Sequence, residues 1–241
     1  MRVQDEASLA RAAYNHVRQR IVRGDLPVGQ VISRRQVASE LGMSFLPVSE
    51  ALQRLEVEGL LESRPRAGTR VRIPTRRDVV GHYAVREALE VQSARLFAEV
   101  AGPQERRELL RFAARVDQLQ TQSSRAVYLT AHEKLHRRIA EYANCPALTE
   151  ALEKTHALAS TWMCTSHPLG GAPSTRHLEL AQVLAAGDAD RAGAAMRRHI
   201  ETSRQAALER LQPYFKMHRK RGKTFARGDQ STAVESFLES S

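Results

Sequence analysis

Four histidines have the type and spacing to bind a metal ion. His132 and His136 are four residues apart within a helical pattern, so both imidazoles leave one face. His177 lies near the start of a later helical pattern, and His199 lies within the one after it. Imidazoles at i and i+4 can share one divalent ion, and two more from facing helices would complete the set. Taken singly, each of the nine histidines reads equally well as a surface group or a satisfied core group. Only a fold that brings three helices face to face turns them into a site.

The elements that must position them begin at Thr75. From there the pattern is long helices with few strand signals. Apolar spacing predicts helices over 76–101, 103–120, 124–143, 147–164, 174–186 and 189–212. The breaks are Gly102-Pro103, Asn144-Cys145-Pro146, the loop from His167 to Pro173, Gly187-Asp188 and Pro213. The expectation is an all-α bundle of six helices with ligand space between facing members. Residues 214–241 are polar and basic and read as a mobile tail.

Residues 1–74 read differently. A first helix is expected over 7–23, with Ala10, Ala13, Val17 and Ile21 as its apolar stripe. Val31 and Ile32 suit a short strand. Ser33 is a natural N-cap, Gln36 stands three residues on as in a capping box, and Gly42 ends that helix. Ser44 opens a second helix, with Pro47 in its first turn and Val48, Ala51, Leu52 and Leu55 as its stripe. Two capped helices around a glycine turn make either a helical hairpin or a helix-turn-helix. Leu60 to Ile73 then gives two strand-like runs around a Pro-Arg-Ala-Gly turn, which makes the unit a winged helix-turn-helix. The predicted organisation is therefore mainly α: a winged head over 1–74, a helical domain over 75–213 and a basic tail over 214–241.

Composition narrows the function. The 241 residues carry a net charge of +10, densest in the head and the tail, which suits a polyanionic partner. Two cysteines exclude a disulfide framework and fit a reducing cytosol. No apolar run approaches the roughly 18 residues that span a bilayer, so the reading is soluble, cytoplasmic and without a membrane partner.

The chain resembles the GntR family of bacterial transcription regulators, in the FadR-like branch whose ligand domain is called FCD. The residues that carry the resemblance are IVRGDLPVGQVISRRQVASELGMS and PVSEALQRLEVEGLLESRPRAGTRV in the head. In the bundle they are YAVREALE, LHRRIAEYANCPAL and HLELAQVLAAGDADRAGAAMRRHI. The resemblance implies a homodimer with a winged DNA reader and a helical effector domain. It also implies a near-palindromic double-stranded DNA operator, a small carboxylate or sugar-acid effector, and repression more often than activation.

Many members of that branch hold a metal with one aspartate and three histidines. His136, His177 and His199 match the histidines, and His132 stands at the aspartate position. Four neutral imidazoles move the preference toward zinc, with nickel or cobalt possible, and away from manganese. The expected cofactor is one divalent ion per chain. The other reading is a polar pocket whose histidines touch the effector directly. Arg86 matches an arginine that relatives place on an effector carboxylate, a task its fork suits; pairing with Glu90 is the other reading.

The DNA surface departs further. Relatives read Ser-Arg-Thr-Pro-Val-Arg-Glu where this chain has Ser44-Phe45-Leu46-Pro47-Val48-Ser49-Glu50. Phe45, Leu46 and Ser49 replace an arginine, a threonine and an arginine. Phe45 and Leu46 are expected to face thymine methyls in the major groove, or else Phe45 turns inward and fills the head. Arg35 keeps its family position, and Arg64, Arg66 and Arg70 load the wing around Gly68. Two rival functions stand beside the regulator. One is a DNA-binding protein with a metal-free or vestigial pocket. The other is a metalloenzyme whose histidine-held ion activates water.

Overall fold

A computed structural model of the chain describes residues 2–64, 68–153, 155 and 176–226. The order is α1 (Arg2–Arg23), β1 (Val31–Ile32), α2 (Arg34–Leu41), α3 (Phe45–Val57), β2 (Leu61–Arg64) and β3 (Gly68–Val71). There follow α4 (Arg76–Val100), α5 (Pro103–Gln122), α6 (Arg125–Tyr142), α7 (146–153), α8 (Arg176–Ala185) and α9 (Ala189–Ala226). The chain is mainly α, a winged helix-turn-helix followed by a helical bundle, as its patterns predict. The expected helix end at 164, Cys164 and the loop His167 to Pro173 lie outside the described residues.

In the head, Ser33 accepts a hydrogen bond from the Gln36 amide at 3.3 Å and starts α2. The Gln36 side chain donates to Glu40 at 2.9 Å instead of reaching back, so only half of the expected capping box forms. Gly42, at φ 62°, takes the left-handed conformation that closes α2. The α3 stripe of Val48, Ala51, Leu52 and Leu55 packs on Ala13, Val17 and Ile21 of α1. Burying each of its larger members stabilises the head by roughly 1.5–3 kcal/mol. The wing is an antiparallel sheet in the order β1-β3-β2, with Val31 opposite Arg70 and Glu62 opposite Arg70 on the other side.

Thr75 and Asp78 form a reciprocal capping box that launches α4. α4 packs along α9, and α5 lies between α6 and α8. Tyr83, Phe97, Leu109, Val116, Ile139, Leu184 and Met196 are among the residues that fill this core. α8 is fastened to α5 at both ends. At its start, Asp117 accepts from the Leu178 amide at 2.9 Å. At its end, Arg106 Nη1 donates to the Ala185 carbonyl at 2.7 Å, while Nε and Nη2 donate to Ala101 and Ala98 at the end of α4. These contacts satisfy backbone groups that helix ends leave unpaired. Gly187, at φ 87°, takes the left-handed conformation, and a Cβ there would lie 2.9 Å from Arg106 Nη1, so the guanidinium would have to shift.

The expectation for the last helix changes, and with it that of a mobile tail beginning at 214. Pro213 does not end the last helix, which continues to Ala226. Proline removes one backbone bond, but Leu211 is fully buried and Tyr214 and Phe215 pack against the bundle core. That packing holds the helix across the proline. Residues 227–241 of the expected tail lie outside the described residues.

Candidate functional site

The four histidines converge. α6 presents His132 and His136, α8 presents His177, and α9 presents His199. All four are buried, His177 completely. Ligand atoms of His132, His177 and His199 all lie within 4.8 Å of one another. His136 joins through His132, with 3.3 Å between their Nε2 atoms, and its ring centroid is 5.3 Å from that of His199.

Carboxylates stand behind two of the rings. Glu90 Oε2 lies 2.6 Å from His136 Nδ1. Asp117 Oδ1 lies 2.6 Å from His177 Nδ1. A carboxylate at Nδ1 favours the tautomer with the proton there, leaving Nε2 as the lone-pair donor. The Nε2 atoms of His177 and His199 are buried with no hydrogen-bond partner among the described residues. Burial is the main force holding His132 and His199 well below the ordinary histidine range, and the neighbouring imidazoles add to it. Those rings are therefore neutral at physiological pH, the form that donates to a metal. Burial also pushes the Tyr128 phenol beside them up to about 12, so it stays protonated.

Arg86 is 2% exposed, and its Nε donates to Glu90 at 2.6 Å. The expected open fork is thus half used, because the acid one turn along α4 offers a compensating charge to a buried cation. Its Nη1 is buried without a hydrogen-bond partner among the described residues. The Arg86 charge also reaches His132, where it helps to lower the imidazole. Sequence reasoning named Glu90 only as an alternative partner for Arg86. Asp117 was missed, since nothing local marks a residue 60 positions before the histidine it holds.

On the head, Phe45 and Leu46 are 55% and 56% exposed at the start of α3. The inward alternative for Phe45 does not occur, because Val48 and Met43 supply the apolar packing there. Ser44 and Arg35 are exposed, and Ser49 is half-buried. Arg64 is exposed at the end of β2, 3.6 Å from Glu62, and Gly68 opens β3 at φ 73°. Arg70 corrects the sequence reading. It is 9% exposed and its Nε donates to Glu62 at 2.6 Å. Directly opposed positions on neighbouring strands pair their charges, so its guanidinium is not presented outward. Arg66 lies outside the described residues.

A winged head joined to a helical bundle with a buried polar centre is the architecture of a DNA-binding transcription regulator. A family model for bacterial regulatory proteins of the gntR family matches residues 9–71, and a model for the FCD domain matches residues 82–202. The chain belongs to the GntR family, in its FCD-bearing branch, and the enzyme reading of the histidines falls with that assignment. It is 31% identical over 183 residues to the "Probable D-xylose utilization operon transcriptional repressor" of Paenarthrobacter nicotinovorans, covering 75% of this chain and 80% of that protein. A GntR transcriptional regulator from Rhodococcus sp. RHA1 shares the fold with a TM-score of 0.71 at 23% identity, over 84% of this chain and 98% of that one. E. coli McbR/YncC does so with a TM-score of 0.66 at 23% identity, over 82% and 97%. No helix among the described residues is long and apolar enough to cross a membrane.

Proposed function

We propose that this regulator is a cytoplasmic homodimeric repressor whose bundle holds one divalent metal ion and a small organic or sugar acid. The head is assigned to 1–74 and the sensing domain to the residues from 75 onward, including Tyr214 and Phe215 of α9 beyond the expected end at 213. The observation that carries the reading is the pair of buried Nε2 atoms, of His177 and His199, without a hydrogen-bond partner among the described residues and within a cluster of histidines. A buried polar nitrogen left unpaired costs about 1–3 kcal/mol, and a shared ion relieves several at once. His132, His136, His177 and His199 would hold the ion, with Glu90 and Asp117 orienting His136 and His177. An all-imidazole set supports zinc, with nickel or cobalt as alternatives. When bound, the ion supplies a Lewis-acidic centre for an effector oxygen.

Arg86 Nη1 is the second anchor, one N–H for a carboxylate oxygen while Nε stays with Glu90. The similarity to a protein named for D-xylose utilization favours a sugar-related effector, and the acidic group rests on Arg86 alone. On the DNA side, two copies of α3 would enter successive major grooves of a near-palindromic operator. Phe45 and Leu46 would pack on thymine methyls, flanked by Ser44 and Ser49, and Arg35 and Arg64 would meet phosphates. The effector would act through its different affinity for two placements of the heads.

Elemental analysis of untagged protein, purified without chelator, tests the reading. One zinc, nickel or cobalt per chain is expected. Protein with no metal that takes none up on titration defeats it and leaves the metal-free pocket.

A further inference from the structure

A cavity lies away from the histidine cluster. It is a cleft of about 650 Å³ between α1 of the head and α5 and α6 of the bundle. Its volume sits within the range of small-molecule sites. The apolar part comes from Val22 of α1, Phe112 of α5, and Val127 and Ala131 of α6. Val127 is about half exposed, so apolar surface remains uncovered.

The rim is basic. Arg18, Arg23, Lys134 and Arg137 line it against a single acid, Glu133. Arg18 lies 3.7 Å from Glu133, and Arg137 lies near Glu141 and Glu153. Arg23 and Lys134 have no ion-pair partner among the described residues. The cleft therefore combines an open apolar floor with two uncompensated cations. Val127, Ala131 and Lys134 recur at spacings of four and three, so one face of α6 supplies both features. The opposite face of the same helix carries His132 and His136.

We infer that this cleft is a second ligand site, for an amphipathic anion with a flat or chain-like apolar body. The body lies on Val22, Phe112, Val127 and Ala131, and the acidic group is drawn to Arg23 and Lys134. A ligand there touches the head and the bundle at once, and it does so independently of the histidine site.

The test is a fluorescence titration of the full chain with anilinonaphthalene sulfonate, beside its uncharged relative phenylnaphthylamine. Saturable binding of one sulfonate per chain is expected, with the neutral probe much weaker. Arg23→Glu with Lys134→Glu, two exposed changes, should weaken the sulfonate at least about fivefold. Val127→Trp should block the cleft by bulk at a position where the fold has space. Displacement by decanoate or by decyl phosphate then distinguishes a carboxylate from a phosphate ligand. Equal binding of the two probes, or sulfonate affinity unchanged in both folded variants, overturns the proposal.

Discussion

The head and the bundle break the usual rule of burial in opposite directions. In the bundle, four imidazoles, a guanidinium and two carboxylates lie in the interior and hold one another. In the head, a phenylalanine and a leucine stand side by side in solvent at the start of α3. Buried polar groups are costly unless something satisfies them, and an exposed apolar pair gains nothing until something covers it. Each inversion marks a place where the isolated chain is incomplete. On the proposed reading, the partner of the first is a divalent ion and an anion. On the same reading, the partner of the second is an apolar patch of the major groove.

The largest effect should come from removing a buried ligand. His177→Ala should lower metal affinity by more than about 100-fold, beyond the loss expected for an outer partner. Isothermal titration with zinc measures it, and an unchanged affinity would remove His177 from the site. Asp117→Asn comes next, at about 10–100-fold. Asparagine can still accept from the Leu178 amide, so the helix start survives while the charge behind His177 is lost. A melting curve close to wild type with weakened metal binding separates orientation from folding.

On the head, Phe45→Arg with Ser49→Arg should add about 1–3 kcal/mol of discrimination per bidentate guanine contact. Selection from random DNA should then shift the bound sites toward G·C pairs. Unchanged selection would mean that α3 does not read the bases. A smaller effect concerns pH in metal-free protein. His132 and His199 are held neutral by burial, well below 6.5. Above about pH 6.5 folded and unfolded chains both carry neutral rings, and stability is intact. As pH falls below that value, the unfolded chain binds protons that the folded one refuses, so stability declines by at most about 1.4 kcal/mol per histidine per pH unit. Thermal melts between pH 7 and 5 should show the decline, and His199→Gln should flatten it. Smallest is Arg64→Ala, which should weaken all DNA sites alike and reduce the salt slope by about one unit.

The parts that were legible in the sequence are those set by short spacings. The glycine turn at Gly42, the stripe of α3 and the shared face of His132 and His136 follow from three- and four-residue periods. What was hidden depends on partners far apart in the chain. Asp117 reaches His177 only because α5 and α8 lie side by side. Arg70 is turned from solvent because Glu62 stands opposite it across the wing. Helix α9 outlasts Pro213 because Tyr214 and Phe215 find the bundle core, and a local rule about proline has no access to that packing.

The double fastening of α8 has a mechanical consequence. With Asp117 at one end and Arg106 at the other, α5 and α8 form one antiparallel plate. His177 rides on that plate, while His132 and His136 ride on α6 and His199 on α9. Peeling α8 away alone would break the fastenings at both its ends, so opening the centre favours movement of α5 and α8 together. In native-state hydrogen exchange, the amides of α5 and α8 should therefore open as a single cooperative unit, and Arg106→Ala should split that unit in two.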